Sequence, residues 1–310
     1  MIEPRPLLIT GAGGFVGRQV VRQALALGHQ VVAMDSVTAG IPEGARIVAG
    51  DLGDQEARGE ALGDGVCAVI HLATVPGGAA EADPAASRRI NLDASYDLLL
   101  EASAFGNRLR FIFASSIAVF GDPMPAHVDD ATPLSPKMIY GGHKAMIEQA
   151  VALFTNRAMI DGLSLRLPGI LARPQAPSGM KSAFISNLFH ALKAGEAFVC
   201  PVSPLATIWA QSLDTCARNV LHGLMYDPAY LPPAYALTLP ALRFTMGDLV
   251  EEIARQCGSR AELVSFVPEP ALEAAFGAQP PLFTPAAEQA GFVADRDLGA
   301  LVASALTALA

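Results

Sequence analysis

The chain has 310 residues, of which 52% are apolar and 16% are charged, and its formal net charge is −9. This composition excludes a disordered protein, and an acidic chain without a basic run is a poor partner for nucleic acid or an anionic membrane. No apolar run approaches the about 20 residues of a membrane span, and the N-terminal one is too short for a signal peptide. We therefore expect a cytoplasmic protein. The four cysteines have no paired spacing, so we expect buried thiols and no metal site or disulfide framework.

Apolar runs alternate with helical patterns through the first half of the chain. Strands are predicted at residues 6–10, 29–35, 66–73, 109–116 and 161–170. Helical spacing lies between them, most clearly at about 86–105 and 140–158. Because strands that alternate with helices form a parallel sheet covered on both faces, the predicted fold class is α/β. We expect a Rossmann doubly wound parallel sheet that forms the first domain, over residues 1–170.

The second half begins with a loop that is rich in proline and small residues. Helical patterns follow at residues 182–195, 245–258 and 297–310, and a strand-like segment leads into a helix within 206–225. Thr245 or Asp248 is placed to cap the helix that starts there. We therefore predict a smaller mixed α/β region for substrate binding over residues 171–310.

The segment "TGAGGFVG" carries glycines at 11, 14 and 17 directly after a strand and at the start of a helix. Glycines in this context permit a tight turn, the approach of a phosphate to the backbone, and close packing of the helix. The helix N-terminus favours a pyrophosphate, so Phe15 and Val16 at its start are expected to line the same site. The pattern predicts dinucleotide binding.

Two acids follow later strands. Asp35 ends the second strand at about the spacing expected for an acid that binds the adenosine ribose. Its carboxylate would repel a 2′-phosphate, and no arginine follows it in residues 36–40, so NAD is favoured over NADP. Asp51 and Leu52 come after a third strand. Asp51 either accepts a hydrogen bond from the adenine amino group or forms a turn, and both interpretations stay open.

A serine, a tyrosine and a lysine suggest redox chemistry on an alcohol. Ser115 and Ser116 end a predicted strand, where ligands bind in open α/β sheets. Tyr140 and Lys144 lie four residues apart, on one face of a helix. A base must accept the hydroxyl proton. We expect the Lys144 ammonium and the positive nicotinamide together to lower the pKa of Tyr140 from its usual value of about 10.

The residues between this pair are unusual. Gly141 and Gly142 weaken a helix, so we interpret them as room for the backbone to approach the sheet or the substrate. Their replacement by alanine is then expected to harm activity more than stability. His143 is interpreted as a flanking residue.

In order along the chain, these segments resemble the extended short-chain dehydrogenase/reductase family, which includes NAD-dependent epimerases and dehydratases. The resemblance rests on "TGAGGFVG", Asp35, "HLA" at 71–73, Asn91, "SSIAVFG", "YGGHK" and "LRLPGI". It implies that Ser116, Tyr140 and Lys144 form a catalytic triad, and that Tyr140 and Lys144 also contact the cofactor. The other positions that it assigns to the cofactor site are Leu72, Ala73, Asn91, Pro168 and Ile170. It also implies a homodimer in which the helices at about 86–105 and 140–158 pair with their mates.

A closer resemblance, over "RLPGILARP", "IWAQS" and "RNVLHGL", is to members of this family that oxidise C2 of the four-carbon sugar acid D-erythronate with NAD. The alternatives are a nucleotide-sugar 4-epimerase or dehydratase, disfavoured by Gly169 where those enzymes usually have asparagine, and a non-catalytic NAD-binding protein. Position alone suggests residues that contact the small-molecule substrate, with a structural role as the alternative for most of them. They are Thr74, Ser116, Ser178, Ser182, Asn187 and Trp209, with Arg173 or Lys181 for a carboxylate.

Overall fold

The computed structural model describes residues 5–63, 65–106, 108–121, 124–173, 183–227 and 231–309. Within these ranges one parallel sheet dominates the fold. Its strands are β1 (Leu7–Thr10), β2 (Val31–Asp35), β3 (Arg46–Ala49), β4 (Ala68–His71), β5 (Arg110–Ser116), β6 (Asp161–Leu167) and β10 (Ala236–Thr238). Their order across the sheet is β10-β6-β5-β4-β1-β2-β3, and every neighbouring pair is parallel. This is the doubly wound Rossmann order with β10 added at one edge, which confirms the predicted fold class.

Helices cover both faces of this sheet. Side chains alternate along β1, so Leu7 and Ile9 join the apolar core on one face and Leu8 joins the core on the other. The helices are α1 (Phe15–Ala26), α2 (Gln55–Leu62), α3 (Gly77–Ala82), α4 (Pro84–Ser87), α5 (Ser95–Ser103), α6 (Ile139–Asn156), α7 (Ala183–Ala194), α8 (Leu213–His222), α9 (Met246–Cys257), α10 (Pro270–Phe276), α11 (Pro285–Gln289) and α12 (Leu298–Ala308). The first core is closed by α1 and α8, and the second by α2, α5 and α6.

The helix predicted at about 86–105 contains an irregular turn. It is built from α4, a π-helical segment at Arg88–Ala94, and α5. In α5, Leu98 and Leu99 are fully buried, and burial of each contributes about 1.5–3 kcal/mol. The π-helical segment was not expected from the apolar spacing, and it lies beside the site described below.

The remaining strands form two small sheets around a separate core. β9 (Thr207–Ser212) pairs in parallel with β7 (Gly169–Leu171) and antiparallel with β11 (Leu242–Thr245). β8 (Phe198–Cys200) and β12 (Val264–Phe266) form a parallel pair. Thr245 and Asp248 form a reciprocal capping box at the start of α9, which confirms the predicted cap.

The second half of the chain also contributes to the large sheet, because β10 joins it and α8 packs against α1. The division into residues 1–170 and 171–310 stays a prediction. None of the helices in the described ranges combines the length and apolarity that crossing a bilayer requires, and the cytoplasmic location stays a prediction. Cys200 and Cys216 are buried as expected and Cys257 is partly buried, but the expectation was wrong for Cys67, which is exposed just before β4.

Candidate active site

A cleft of about 910 Å³ opens at the carboxyl ends of the central strands. It lies where β1 is flanked by β2 on one side and β4 on the other, the point at which open α/β sheets bind ligands. Most residues predicted from the sequence line it. They are Gly11, Gly14, Phe15, Val16, Gly17, Asp35, Asp51, Leu52, Leu72, Ala73, Thr74, Ser116, Tyr140, Lys144, Pro168, Ile170 and Arg173.

The start of α1 forms the floor of the cleft. Gly11 has φ +70°, and a Cβ there would lie 2.5 Å from the backbone nitrogen of Ala73, so the turn after β1 requires glycine. Gly14 caps α1 without a side-chain acceptor, and the first turn of the helix carries no acid. Free N–H groups at a helix N-terminus attract a phosphate. This end of the cleft therefore fits the pyrophosphate of a dinucleotide.

The acids at the other end fit an adenosine. Asp35 accepts hydrogen bonds from the backbone N–H groups of Gly13 and Val37, both at 2.9 Å. Each carboxylate oxygen keeps a further acceptor position for a ribose hydroxyl. Asp51 accepts from the Gly53 N–H at 2.7 Å and pairs with Arg89 at 3.0 Å, and this arginine lowers the pKa of its carboxyl. Asp51 thus forms a turn and also lines the cleft.

Both serines line the cleft, but their hydroxyl groups differ in what they contact. The Ser115 hydroxyl donates to the buried carboxylate of Glu148, so it is already committed. Ser116 lines the cleft, and its hydroxyl oxygen accepts the Ala118 N–H at 3.1 Å. The geometry therefore favours Ser116 over Ser115 as the serine that meets a substrate.

Lys144 is held tightly below the tyrosine. Its ammonium donates to the Ala114 carbonyl at 2.7 Å and lies 4.7 Å from the centre of the Phe113 ring and 5.6 Å from that of Tyr140. Burial lowers the pKa of Lys144 to about 7, and the Glu148 carboxylate opposes this shift. The lysine is therefore poised to change charge near neutral pH.

Burial sets the direction of the Tyr140 pKa in the protein alone. It raises this pKa above 10, and the groups that oppose the shift are Ser116, Arg173 and Thr74 rather than Lys144. The sequence placed Lys144 one helical turn away but could not reveal the desolvation of the phenol. The combined effect of the lysine and the nicotinamide on this pKa stays a prediction.

Two contacts position the helix that carries this tyrosine. Glu81 of α3 accepts the Ile139 N–H at 2.6 Å, so a carboxylate from another helix caps α6. A Cβ on Gly141 would lie 2.0 Å from the Ala118 carbonyl oxygen, whereas one on Gly142 would meet nothing within 4 Å. The shared role expected for the two glycines was wrong, because only Gly141 makes a close approach, and that approach is to the turn after Ser116.

Arg173 brings a cation into the same cleft. Its guanidinium lies over the Phe15 ring, 5.4 Å from the centre, and its charge favours the ionised form of Tyr140. Ser186 and His190 of α7 bind the Arg173 backbone: Ser186 accepts its N–H at 3.0 Å, and its carbonyl lies 2.9 Å from His190 Nε2. Burial lowers the pKa of Arg173, and it makes no ion pair with a carboxylate of the described residues. An anionic ligand would relieve this desolvated charge.

Other predicted residues lie elsewhere. Asn91 is buried and acts behind the cleft wall, where its amide holds the backbone of Val75. Trp209 is not brought to the cleft: its side chain is 1% exposed and its indole N–H donates to the Pro280 carbonyl at 2.7 Å. Asn187 is exposed on α7. Ser178, Lys181 and Ser182 lie outside the described residues.

Sequence reasoning missed a buried ion pair beside the lysine. Glu148, one turn after Lys144, accepts from Arg166 at 2.8 Å, and both side chains are almost fully buried. The signal was present, because Glu148 shares a helix face with Lys144, and a buried arginine near the end of an apolar strand needs a partner. It also missed His143, which is buried rather than a flank. Among the described residues, no group of His, Cys, Asp and Glu side chains is arranged to hold a metal ion.

Comparisons with known proteins agree with this geometry. The sequence matches the NAD dependent epimerase/dehydratase family over residues 7–208. It is 34% identical over 288 residues to a D-erythronate dehydrogenase from Cupriavidus necator, covering 88% of this chain and 89% of that protein. A D-erythronate dehydrogenase from Haemophilus influenzae is 29% identical over 259 residues, covering 81% and 82%. The structure of a nucleoside-diphosphate-sugar epimerase from Agrobacterium tumefaciens is similar with a TM-score of 0.85 and 28% identity, over 96% of this chain and 92% of that one.

Proposed function

Because the chain belongs to the NAD dependent epimerase/dehydratase family, we propose that it oxidises the C2 hydroxyl of a small sugar acid, D-erythronate or a close analogue, to the 2-oxo acid. It is an NAD-dependent oxidoreductase that acts on a CH–OH group, and its cofactor is NAD. Its similarity to two D-erythronate dehydrogenases over more than 80% of its length supports a sugar acid as substrate.

Three side chains of the cleft have separate roles in this oxidation. Oxidation breaks the C2–H and O–H bonds and forms a C=O bond. Tyr140 Oη, as phenolate, accepts the hydroxyl proton, and the Ser116 hydroxyl donates to the developing carbonyl oxygen. The Lys144 ammonium would hold the nicotinamide ribose and, together with the positive nicotinamide, would favour the phenolate. NAD, when bound along Gly11–Gly17 and Asp35, supplies the acceptor for the hydride that leaves C2.

The observation that carries the choice of an acid is Arg173. It lines the cleft together with Tyr140, rests on Phe15, and has no carboxylate partner among the described residues. Of the other cations that line the described part of the cleft, Arg89 is paired with Asp51 and Lys144 is bound to a backbone carbonyl. A substrate carboxylate can form a bidentate pair with a guanidinium, which would fix C2 relative to the tyrosine.

A nucleotide-sugar 4-epimerase or dehydratase is the second candidate, because the similar structure from Agrobacterium tumefaciens is that of a nucleoside-diphosphate-sugar epimerase. Such an enzyme would return the hydride to its product, so it would retain NAD and form no net NADH. Gly169 stands where a phosphate-binding asparagine is usual in that group, which favours the dehydrogenase. A non-catalytic NAD-binding protein is the third candidate, and it would tolerate the substitution Tyr140→Phe in its biological role.

A homodimer is part of the proposal. The outer faces of α5 and α6 expose four large apolar side chains: Tyr96 and Leu100 on α5, and Met146 and Leu153 on α6. The two helices pack side by side, with the Tyr96 and Phe154 rings in edge contact at 5.6 Å. Exposed apolar patches of this kind mark protein interfaces, and two such helix pairs would form a four-helix bundle.

The proposed function is tested by mixing purified protein with NAD and a panel of four- to six-carbon aldonates and recording NADH absorbance. We expect NADH with at least one four-carbon acid and none with the Tyr140→Phe variant. A nucleotide sugar converted without NADH would support the epimerase instead.

A further inference from the structure

Each end of the π-helical segment Arg88–Ala94 is held by a different buried histidine, in each case through a serine. At its end, Ser95 donates to the Ile90 carbonyl at 3.1 Å, and its hydroxyl lies 2.9 Å from His71 Nε2. Before its start, the Ser87 hydroxyl lies 3.0 Å from His143 Nδ1. Wide turns of this type are rare and are frequent at functional sites, and Arg89 and Ile90 of this one line the cleft.

Asn91 occupies the middle of this segment and uses its whole amide. Its oxygen accepts the Val75 N–H at 2.6 Å and the Thr74 hydroxyl at 3.0 Å. Its nitrogen donates to the Val75 carbonyl at 2.9 Å and to the Ser87 hydroxyl oxygen at 3.1 Å. The amide can make these four bonds in only one orientation. Its bond to Ser87 connects Asn91 to His143, so Asn91 does not hold the loop alone.

The loop that Asn91 holds faces the reacting tyrosine. Thr74 and Val75 line the cleft. The Thr74 hydroxyl donates its hydrogen to Asn91, so its oxygen acts as the acceptor in its hydrogen bond with the Tyr140 hydroxyl. A continuous chain of contacts therefore runs from His143 through Ser87 and Asn91 to Thr74 and back to Tyr140. It begins and ends on α6, three residues apart.

We infer that His143 is a positioning residue: through Ser87 it fixes the Asn91 amide, and so the Thr74 hydroxyl, against Tyr140. For its catalytic readout the inference rests on the proposed function. Because Ser87 accepts from Asn91, its own hydrogen is free to be donated to His143 Nδ1, which assigns a neutral ring with the proton on Nε2.

Protonation of His143 would break this arrangement. Nδ1 would then become a second donor to Ser87, whose own hydrogen would lose its acceptor. The charged groups that face the ring are Asp93 of the π-helical segment and Glu81 of α3, and both favour the protonated form. Burial outweighs them and lowers the pKa of His143. The neutral, accepting ring is therefore the form present at neutral pH and above.

The test compares His143→Leu, which removes the acceptor, with His143→Asn, whose amide oxygen falls where Nδ1 lies. With the aldonate that gives NADH, we expect His143→Leu to lower kcat about tenfold and to leave NAD affinity within about twofold. His143→Asn is expected to recover most of kcat. Ser87→Ala should reproduce the loss, and it replaces His143→Leu if that variant does not fold.

Thr155→Val is the matched control, because Thr155 also makes two buried hydrogen bonds on α6 but lies far along the helix from the cleft. It should lose thermal stability comparably and keep kcat. Equal loss of kcat in this control, or no loss in both His143→Leu and Ser87→Ala, would overturn the inference.

A second readout needs no substrate. The ultraviolet titration of tyrosinate, corrected with the Tyr140→Phe variant, reports the pKa of Tyr140. We expect His143→Leu to shift it by about half a unit and His143→Asn to restore it. An unchanged Tyr140 pKa in His143→Leu contradicts the inference, whereas a wild-type protein inactive on every aldonate contradicts the proposed function alone.

Discussion

The two glycines between Tyr140 and Lys144 give a sharp test, because the same substitution should have opposite effects at adjacent positions. Alanine at Gly142 meets nothing within 4 Å, so it gains only helix propensity, about 0.5–1 kcal/mol. Alanine at Gly141 gains the same propensity but places its Cβ 2.0 Å from the Ala118 carbonyl oxygen, against about 3.4 Å for an ordinary contact.

The difference between the two variants isolates the cost of this clash. The backbone of Ala118 must move by more than about 1 Å, and overpacking of this kind costs about 1–3 kcal/mol. The Ala118 N–H also binds the Ser116 hydroxyl, so the movement displaces the proposed catalytic serine. We expect the melting temperature of Gly141→Ala to lie about 2–6 °C below that of Gly142→Ala, with kcat at least about tenfold lower.

Differential scanning calorimetry and NADH absorbance on both variants measure these effects. Gly142→Ala serves as the control for helix propensity and should keep wild-type activity. Equal melting temperatures, or a comparable loss of activity in Gly142→Ala, would refute the close approach of α6 to the turn after Ser116.

Three further outcomes are expected. Arg173→Gln should raise KM for the sugar acid about tenfold or more with little change in NAD affinity. Arg173→Lys should restore only part of the substrate affinity, because a lysine cannot form the bidentate pair. An unchanged KM in Arg173→Gln would show that the arginine does not bind the substrate. His71 is buried with its pKa lowered by burial from 6.5 to about 3, so the unfolded chain binds the proton first as pH falls below 6.5. The contribution of His71 to the free energy of unfolding is complete above pH 6.5, and about 2 kcal/mol of it is lost by pH 5. Denaturant unfolding of the wild type at pH 7.5 and 5 should show this loss of stability. The same loss in a His71→Asn variant would contradict the role of His71. Leu100→Glu combined with Leu153→Glu should give a monomer by light scattering at micromolar concentration, and a wild-type protein that is already monomeric would remove the proposed dimer.

The large sheet was predictable because its signals are local. Each buried strand is a short apolar run, and the glycine cluster marks the turn between the first strand and α1. Asp35 ends the second strand, and the resemblance fixed the order of Ser116, Tyr140 and Lys144. The strands, the glycine cluster and Asp35 need only neighbours in sequence, and the resemblance supplied most of the remaining lining of the cleft.

The missed features depend on contacts between distant segments. The π-helical turn is held by His71 and His143, which lie 24 and 56 residues from their serine partners. The apolar spacing of residues 86–105 carries no trace of it. The burial that raises the pKa of Tyr140 was also missed, because the spacing to Lys144 is visible in the sequence, whereas the desolvation of the phenol is a property of the folded cleft.

Trp209 was assigned to the cleft wrongly for the same reason, because a distant segment decides where its side chain lies. A single tryptophan at the end of a predicted strand has no periodic partner that would assign its face. Its burial against Pro280 is decided by a segment about 70 residues later. The D-erythronate-like substrate, the dimer and the roles of the site residues stay proposals.

The most direct test of the central claim is the formation of NADH by the purified protein from NAD and D-erythronate, compared with the Tyr140→Phe and Arg173→Gln variants. We predict NADH from the wild type, no NADH from Tyr140→Phe, and turnover by Arg173→Gln only at much higher acid concentration. No NADH from the wild type with any four- to six-carbon aldonate, or equal KM values for the wild type and Arg173→Gln, would contradict the account.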